Sequence, residues 1–164
     1  MLPLFKNEKD FQELYRTHFD GVRRVLLTMT GIPSVAEELT QESFLKGWDK
    51  LATFSLRSSF KTWIYSIAIN VGRDWLRTHK NHQVSKVFES SSLETSTPEQ
   101  KAVQEALLMV GASERELLVL TYYEGMTLEE TAKILNIPVG TVKSRLHTSK
   151  SELRVILLKK GFDV

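Results

Sequence analysis

The chain has 164 residues, enough for one domain or two small ones, and 41% of them are hydrophobic, enough to fill compact cores. Its 22 basic and 20 acidic side chains leave a formal charge of only +2, so any charge that binds nucleic acid has to be local rather than global. The absence of cysteine excludes disulfides and thiolate metal sites; Met1 to Lys6 is too short for a signal h-region and no apolar run approaches the ~18 residues that span a bilayer, so a soluble, cytoplasmic protein is expected.

From Lys9 to Arg77 the pattern is helical, with no alternating β pattern, which excludes a receiver-type α/β domain in this half. Over Val35 to Leu51 the residues Ala36, Leu39, Thr40, Ser43, Phe44, Gly47 and Leu51 share the core face. Glu38, Gln41, Leu45, Trp48 and Asp49 lie on the opposite half. A Leu and a Trp beside carboxylates on the outer face suit a protein-docking surface, although packing of Trp48 on a neighbouring helix accounts for the same pattern.

From Ser59 to Arg77, Phe60, Trp63, Ile64, Ile67, Ala68, Val71 and Trp75 form a core face, and Thr62, Ser66, Ile69, Asn70, Arg73 and Arg77 point away. Exposed amides and guanidinium groups near aromatics can hold single-stranded bases by stacking and phosphate contact. The spacing of Trp63 and Trp75 equally suits a core role.

Between His79 and Gln100 the sequence turns to Ser, Thr and Glu with no sustained helical period, which reads as a linker between a domain over 1–78 and another over 101–164. Fully extended, such a tether reaches on the order of 65 Å at ~3.3 Å per residue, roughly two turns of duplex at ~34 Å each. A loop packed on a single domain is the alternative. The fold class expected is all-α, two small helical domains with a helix-turn-helix at the C-terminal end.

The run from Ser113 to Lys150, SERELLVLTYYEGMTLEETAKILNIPVGTVKSRLHTSK, supplies that helix-turn-helix. Ser113 stands three residues before Glu116, and Thr127 three before Glu130, two capping boxes that place two helix starts. Gly125 and Asn136 follow apolar runs where positive φ is needed, and Pro138 opens the next helix. On that third helix Val142, Leu146, Ser149 and Leu153 share one face, while Gly140, Ser144, His147, Thr148 and Ser151 lie opposite, flanked by Lys143 and Arg145. Small and hydrogen-bonding side chains edged by cations fit a major groove; a protein-binding three-helix bundle would share the pattern.

The series LYRTHFDGVRRVLLTMTG, AEELTQESFLKGW, SSFKTWIYSIAINVGRDWLR, a polar linker and ERELLVLTYYEGMTLEETAKILNIPVGTVKSRL resembles the extracytoplasmic-function sigma factors of the sigma-70 family, over nearly the whole chain. The resemblance implies a non-catalytic bacterial transcription initiation subunit that needs no cofactor or metal, binds core RNA polymerase, directs it to promoter DNA and helps open the duplex. It places the main polymerase contact at Glu38, Gln41, Glu42, Leu45, Trp48 and Asp49. It places recognition of the downstream, minus-10 element in the non-template single strand at Phe54, Arg57, Ser58, Lys61, Trp63, Asn70 and Arg73. Reading of the double-stranded upstream, minus-35 element falls to Thr127, Thr141, Lys143, Ser144, Arg145, His147 and Thr148. An anti-sigma partner is implied too, with no insertion of this chain into a membrane. Three departures from the family pattern stand out: Thr148 where many relatives carry a basic residue, Asn136 where Gly is usual, and a divergent loop from Thr53 to Ser58.

A dimeric repressor or activator would leave the N-terminal half unexplained, and no heptad or dimer helix is evident. An enzyme finds little support: His18, His79, His82 and His147 are scattered, with no phosphate-cradling glycine loop and no HExxH. Glu37, Glu38 and Glu42 read as a solvated acidic face rather than a cation site.

Overall fold

A computed structural model describes residues 8–55, 57–79 and 97–163, and among them every regular element is helical. The first half contributes α1 (Glu8–Thr30), α2 (Pro33–Lys50) and α3 (Phe60–Thr78). In α1 the buried Val22, Val25, Leu26 and Met29 recur every three or four residues, so one stripe faces the core. Gly31 takes φ 72° to reverse the chain, and Pro33 in the first turn of α2 forfeits an amide that had no partner to lose. A short 3-10 turn, Leu51–Thr53, ends α2, and the Ser59 hydroxyl accepts from the Thr62 amide at 3.1 Å to start α3. The three helices close around edge-to-face aromatics, with the Phe11 ring 6.3 Å from Phe44 and 6.1 Å from Phe60.

The second half contributes α4 (Pro98–Met109), α5 (Ala112–Leu118), which continues as a π turn over Val119–Tyr123, then α6 (Leu128–Leu135) and α7 (Val139–Lys159). Thr127 and Glu130 form the expected reciprocal cap: the Thr127 hydroxyl accepts from the Glu130 amide at 3.1 Å, and the Thr127 amide donates to Glu130 Oε2 at 2.8 Å. Gly125 at φ 63° and Asn136 at φ 54° hold the left-handed conformations expected of them. Pro138 is the N-cap residue of α7, one position before the helix.

The capping box expected at Ser113 does not form. The helix starts earlier, with Gly111 at the cap position; the Ser113 hydroxyl donates instead to Glu114 Oε2 at 3.1 Å. Glu116, its supposed reciprocal partner, is drawn into an ion pair with Arg73 of the other half. A capping box that the sequence reading missed lies at Thr97 and Gln100, where it launches α4 from inside the stretch read as linker. The remainder of that stretch, 80–96, lies outside the described residues.

The two halves pack against each other: α3 lies on α6, α1 on α5, and one apolar cluster runs from Phe11 and Ile64 through Leu117 and Ile134 to Val142. This corrects one face of α3. Thr62 and Ile69, read as pointing away, are 2% and 0% exposed, and Tyr65 is 1% exposed, because the C-terminal half covers a second side of the helix. Periodicity within a helix identifies its apolar stripe but not a second partner.

The two Ser/Thr positions separate in a stability measurement. Thr127→Ala removes a formed cap and lowers the free energy of unfolding by about 1 kcal/mol, whereas Ser113→Ala stays within about 0.5 kcal/mol of the parent, both read from urea unfolding.

Candidate nucleic-acid interface

Three surfaces carry the side chains singled out in the sequence. On α2, packing of Ala36, Leu39, Thr40, Ser43, Phe44 and Gly47 into the core turns Glu38, Gln41, Leu45, Trp48 and Asp49 outward. Leu45 is 65% exposed and Trp48 43%. Trp48 serves both readings offered for it: one edge packs on Phe11, 5.0 Å between ring centroids, and the rest of the indole stays open to solvent. Glu42 is half-buried and pairs with Lys46 one turn on, at 2.7 Å.

The second surface runs from the end of α2 along α3. Phe54, Phe60 and Trp63 form a continuous aromatic group, with the Trp63 ring 4.7 Å from Phe54 and 5.7 Å from Phe60, so Trp63 is half-buried and held rigid. Arg57 and Asn70 are exposed and Ser58 is half-buried. Trp75, on the last turn of α3, stacks on His79 at 4.2 Å. Lys61 and Arg73, on the same helix, each bond to the other half of the molecule, Lys61 half-buried and Arg73 still exposed. Lys61 Nζ donates to the Glu124 carbonyl at 2.7 Å, and Arg73 Nη2 donates to Glu116 Oε2 at 2.9 Å.

The third surface is α7. Val142 and Ser149 are buried and Leu146 and Leu153 half-buried, as the face assignment required, while Lys143, Ser144, Arg145, His147 and Thr148 are exposed on the far side. Thr141 is half-buried at the first turn, and Thr127, exposed, caps the preceding helix. The Ser144 and Thr148 hydroxyls bond back to carbonyls of their own helix, Thr141 at 3.1 Å and Ser144 at 3.2 Å, and so can exchange these for other partners at little cost.

Beside the shared apolar cluster, the contact between the halves holds two buried carboxylates. The Glu124 side chain is 6% exposed; its Oε1 accepts from Arg24 and its Oε2 from the Tyr65 hydroxyl at 2.7 Å. Burial and that hydrogen bond push the Tyr65 phenol well above the usual tyrosine range, so it stays a donor. Glu116, 7% exposed, is pushed up by burial against the opposing pull of Arg73 and Arg115. Arg115 adds a third link: its guanidinium donates to the Leu107, Leu108 and Val110 carbonyls around the end of α4 and to Thr28 of α1 at 3.2 Å. The π turn matters here, since the Glu124 amide bonds to Val119 five residues back and this wider turn sets where the carboxylate emerges.

The sequence reading missed these pairs. Their members stand 43 to 100 positions apart, so no local signal marks them. It also missed an apolar cavity of about 470 Å³ on the C-terminal half, lined by Leu107, Leu118, Tyr122 and Leu153 with Lys150 and Arg154 at its rim.

Comparison with known proteins assigns this arrangement. Residues 14–82 match the family model for sigma-70 region 2, and residues 100–153 that for sigma-70 region 4. The chain is 27% identical to the RNA polymerase sigma factor YlaC of Bacillus subtilis (strain 168) over 94% of this chain and 95% of that protein. It is 29% identical to the ECF RNA polymerase sigma factor SigW of the same organism over 91% and 90%. Among solved structures, the sigma factor RpoE of Bartonella quintana in complex with the anti-sigma factor NepR has a TM-score of 0.76 at 25% identity, covering 91% of this chain and 97% of that one. CnrH in complex with the cytosolic domain of CnrY shares the fold, with a TM-score of 0.73 at 22% identity over 93% and 90%. Two helical modules in this order, the second ending in a helix-turn-helix, define a promoter-directing subunit of transcription. The chain belongs to the sigma-70 family, in its extracytoplasmic-function group, and acts as an RNA polymerase sigma factor in transcription initiation. No helix among the described residues is long and apolar enough to cross a membrane.

Two glycines test the junction against a control. A Cβ on Gly21 would lie 2.0 Å from the Tyr65 hydroxyl and 2.6 Å from Glu124 Oε2, whereas one on Gly140 of α7 meets nothing within 4 Å. Gly21→Ala is therefore expected to destabilise by about 1–3 kcal/mol. Gly140→Ala is expected to stabilise by about 0.5–1 kcal/mol through the helical preference of Ala, both measured by thermal unfolding.

Proposed function

We propose that the chain divides its work among the three surfaces. The outer face of α2, with Glu38, Gln41, Glu42, Leu45, Trp48 and Asp49, docks on core RNA polymerase. Phe54, Arg57, Ser58, Lys61, Trp63, Asn70 and Arg73 capture the non-template strand of the minus-10 element. Thr127, Thr141, Lys143, Ser144, Arg145, His147 and Thr148 read the minus-35 element in duplex form. The observation that carries this reading is the exposure of Leu45 and Trp48 amid carboxylates, since solvent-facing aromatic anchors rimmed by polar groups are what protein interfaces use.

Melting follows from binding. Extruding a base from the stack costs a few kcal/mol, and a protein that binds the extruded base but not the stacked one shifts the equilibrium toward open DNA by the same amount. The rigid aromatic group at Phe54, Phe60 and Trp63 offers π faces beside the cations such a strand needs. The protein itself makes and breaks no covalent bond. It works in the bacterial cytoplasm, and its functional units are the domain over 1–78 and the C-terminal domain, which begins at the Thr97 cap of α4. An anti-sigma factor holds it inactive, in line with the anti-sigma factor NepR bound to the related RpoE.

Run-off transcription with purified core polymerase, this protein and a genomic promoter pool tests the whole reading. Transcript starts that appear only when the protein is added are expected, and their upstream sequences give both promoter elements.

The parts separate by mutation. Leu45→Ala with Trp48→Ala removes two interface anchors, each typically worth about 2 kcal/mol or more, so polymerase association by analytical size exclusion is lost while circular dichroism retains the helical signal.

Arg145→Ala is expected to weaken minus-35 duplex binding by about 10-fold or more (~1–3 kcal/mol) and to leave polymerase association intact. Equal loss of both would point to misfolding rather than to lost recognition.

A further inference from the structure

The cavity of about 470 Å³ on the C-terminal half is bounded by α4, α5 with its π turn, and α7. The buried Leu107, Leu118 and Leu157 line its depth, and the exposed Tyr122, Lys150 and Arg154 stand at its mouth. None of these residues belongs to the surfaces assigned above to polymerase or promoter. Water against such walls finds almost no hydrogen-bond partner, so the cavity favours an apolar occupant. Its volume falls within the roughly 300–1,000 Å³ of small-molecule sites.

The mouth adds charge of one sign. Lys150 and Arg154 stand four residues apart on α7, so both cations lie on the same side of the helix. The Tyr122 ring lies 5.0 Å from Lys150 Nζ and holds the ammonium beside the opening. Among the described residues neither cation forms an ion pair. An occupant that suits these walls has an apolar body free of polar groups, which the leucines would leave unpaired, and a negative charge at one end. At roughly 30 Å³ for a water-sized group there is room for about fifteen, close to the atoms of a twelve-carbon carboxylate. We propose that the cavity binds a free long-chain fatty acid, its chain against Leu107, Leu118 and Leu157 and its carboxylate on Lys150 and Arg154.

Occupancy bears on DNA through α7 itself, a consequence that rests on the promoter-reading role proposed for that helix. Lys143, His147 and Lys150, all exposed, follow one another at four and three residues and so lie along one side of it. Lys150 therefore belongs both to the cavity mouth and to the row of side chains beside the proposed DNA face. A carboxylate on Lys150 withdraws that cation from a phosphate and sets a negative charge next to the duplex. No movement of the backbone is needed for the effect.

Isothermal titration calorimetry of the full-length protein with dodecanoate, below the concentration at which it forms micelles, tests the site. Saturable binding at one site is expected, with octanoate weaker by about 100-fold, or about 4-fold per methylene lost. Dodecyltrimethylammonium, with the same chain and the opposite charge, is expected not to bind. Lys150→Gln with Arg154→Gln, both at exposed positions, weakens dodecanoate by about 10-fold or more, whereas Lys9→Gln with Lys101→Gln, an equal charge change outside the cavity, leaves it unchanged. Val103→Trp fills the cavity from a half-buried position and abolishes binding; the exposed-cation variants keep the test valid if that one misfolds. No saturable dodecanoate binding overturns the proposal and leaves the cavity to a protein segment, and equal binding of the ammonium overturns the role of the two cations. Co-sedimentation with phosphatidylglycerol vesicles that is lost in the Lys150 and Arg154 variant assigns those cations to a membrane surface instead and overturns the free ligand. Fluorescence anisotropy with a short duplex of random sequence reads the consequence for DNA: dodecanoate is expected to weaken binding by the parent about 5-fold and to leave Lys150→Gln unaffected. Dodecanoate binding with undiminished DNA affinity overturns the link through Lys150. Parent-like duplex binding by Lys150→Gln in the absence of dodecanoate overturns only the contact of Lys150 with DNA, since the calorimetry does not depend on it.

Discussion

A carboxylate excluded from water is tolerable only where its charge is matched, and Glu124 meets that condition with groups from a different part of the chain. Arg24 of α1, Tyr65 of α3 and Glu124 of the C-terminal half converge where Gly21 leaves no Cβ in the way. The π turn over Val119–Tyr123 and the positive φ of Gly125 aim the carboxylate at that point. Displacing the halves would break these bonds, so Glu124 ties the orientation of α5 and α6 to that of α1 and α3.

Much of the architecture was legible because it is local. Three-and-four spacing fixes the core faces of α2 and α7; a Thr followed by Glu in the third place fixes the start of α6; Gly125 and Asn136 fix two reversals. The failures are equally physical. Ser113 carries the same capping pattern as Thr127, but Glu116 gains more from Arg73 than from an exposed amide, and Gly111 already starts the helix. Ile69 sits on the polar side of its helix yet is fully buried, because a second module covers it. Motif and periodicity report what a segment does with its neighbours in sequence. Contacts 43 to 100 residues apart leave no such trace.

The surfaces assigned to function differ in how they are held. On α2 and α7 the relevant side chains sit on well-formed helices opposite a buried stripe, so the scaffold presents them rigidly and at no cost to the core. The face of α3 instead combines a fixed aromatic group, Phe54, Phe60 and Trp63, with cations whose partners come from elsewhere in the chain. Only the latter depends on how the two halves are placed.

That difference orders the events available to the free protein. The outer face of α2 and the polar face of α7 are both exposed, so on the proposed assignment polymerase and duplex DNA can each be met without any rearrangement. Lys61 is half-buried and Arg73, though exposed, is paired with Glu116, so a single strand bound there as proposed takes the place of Glu116 and the Glu124 carbonyl. Where such a strand binds these cations as proposed, its affinity is set by the difference between its own contacts and those with Glu116 and the Glu124 carbonyl that it replaces.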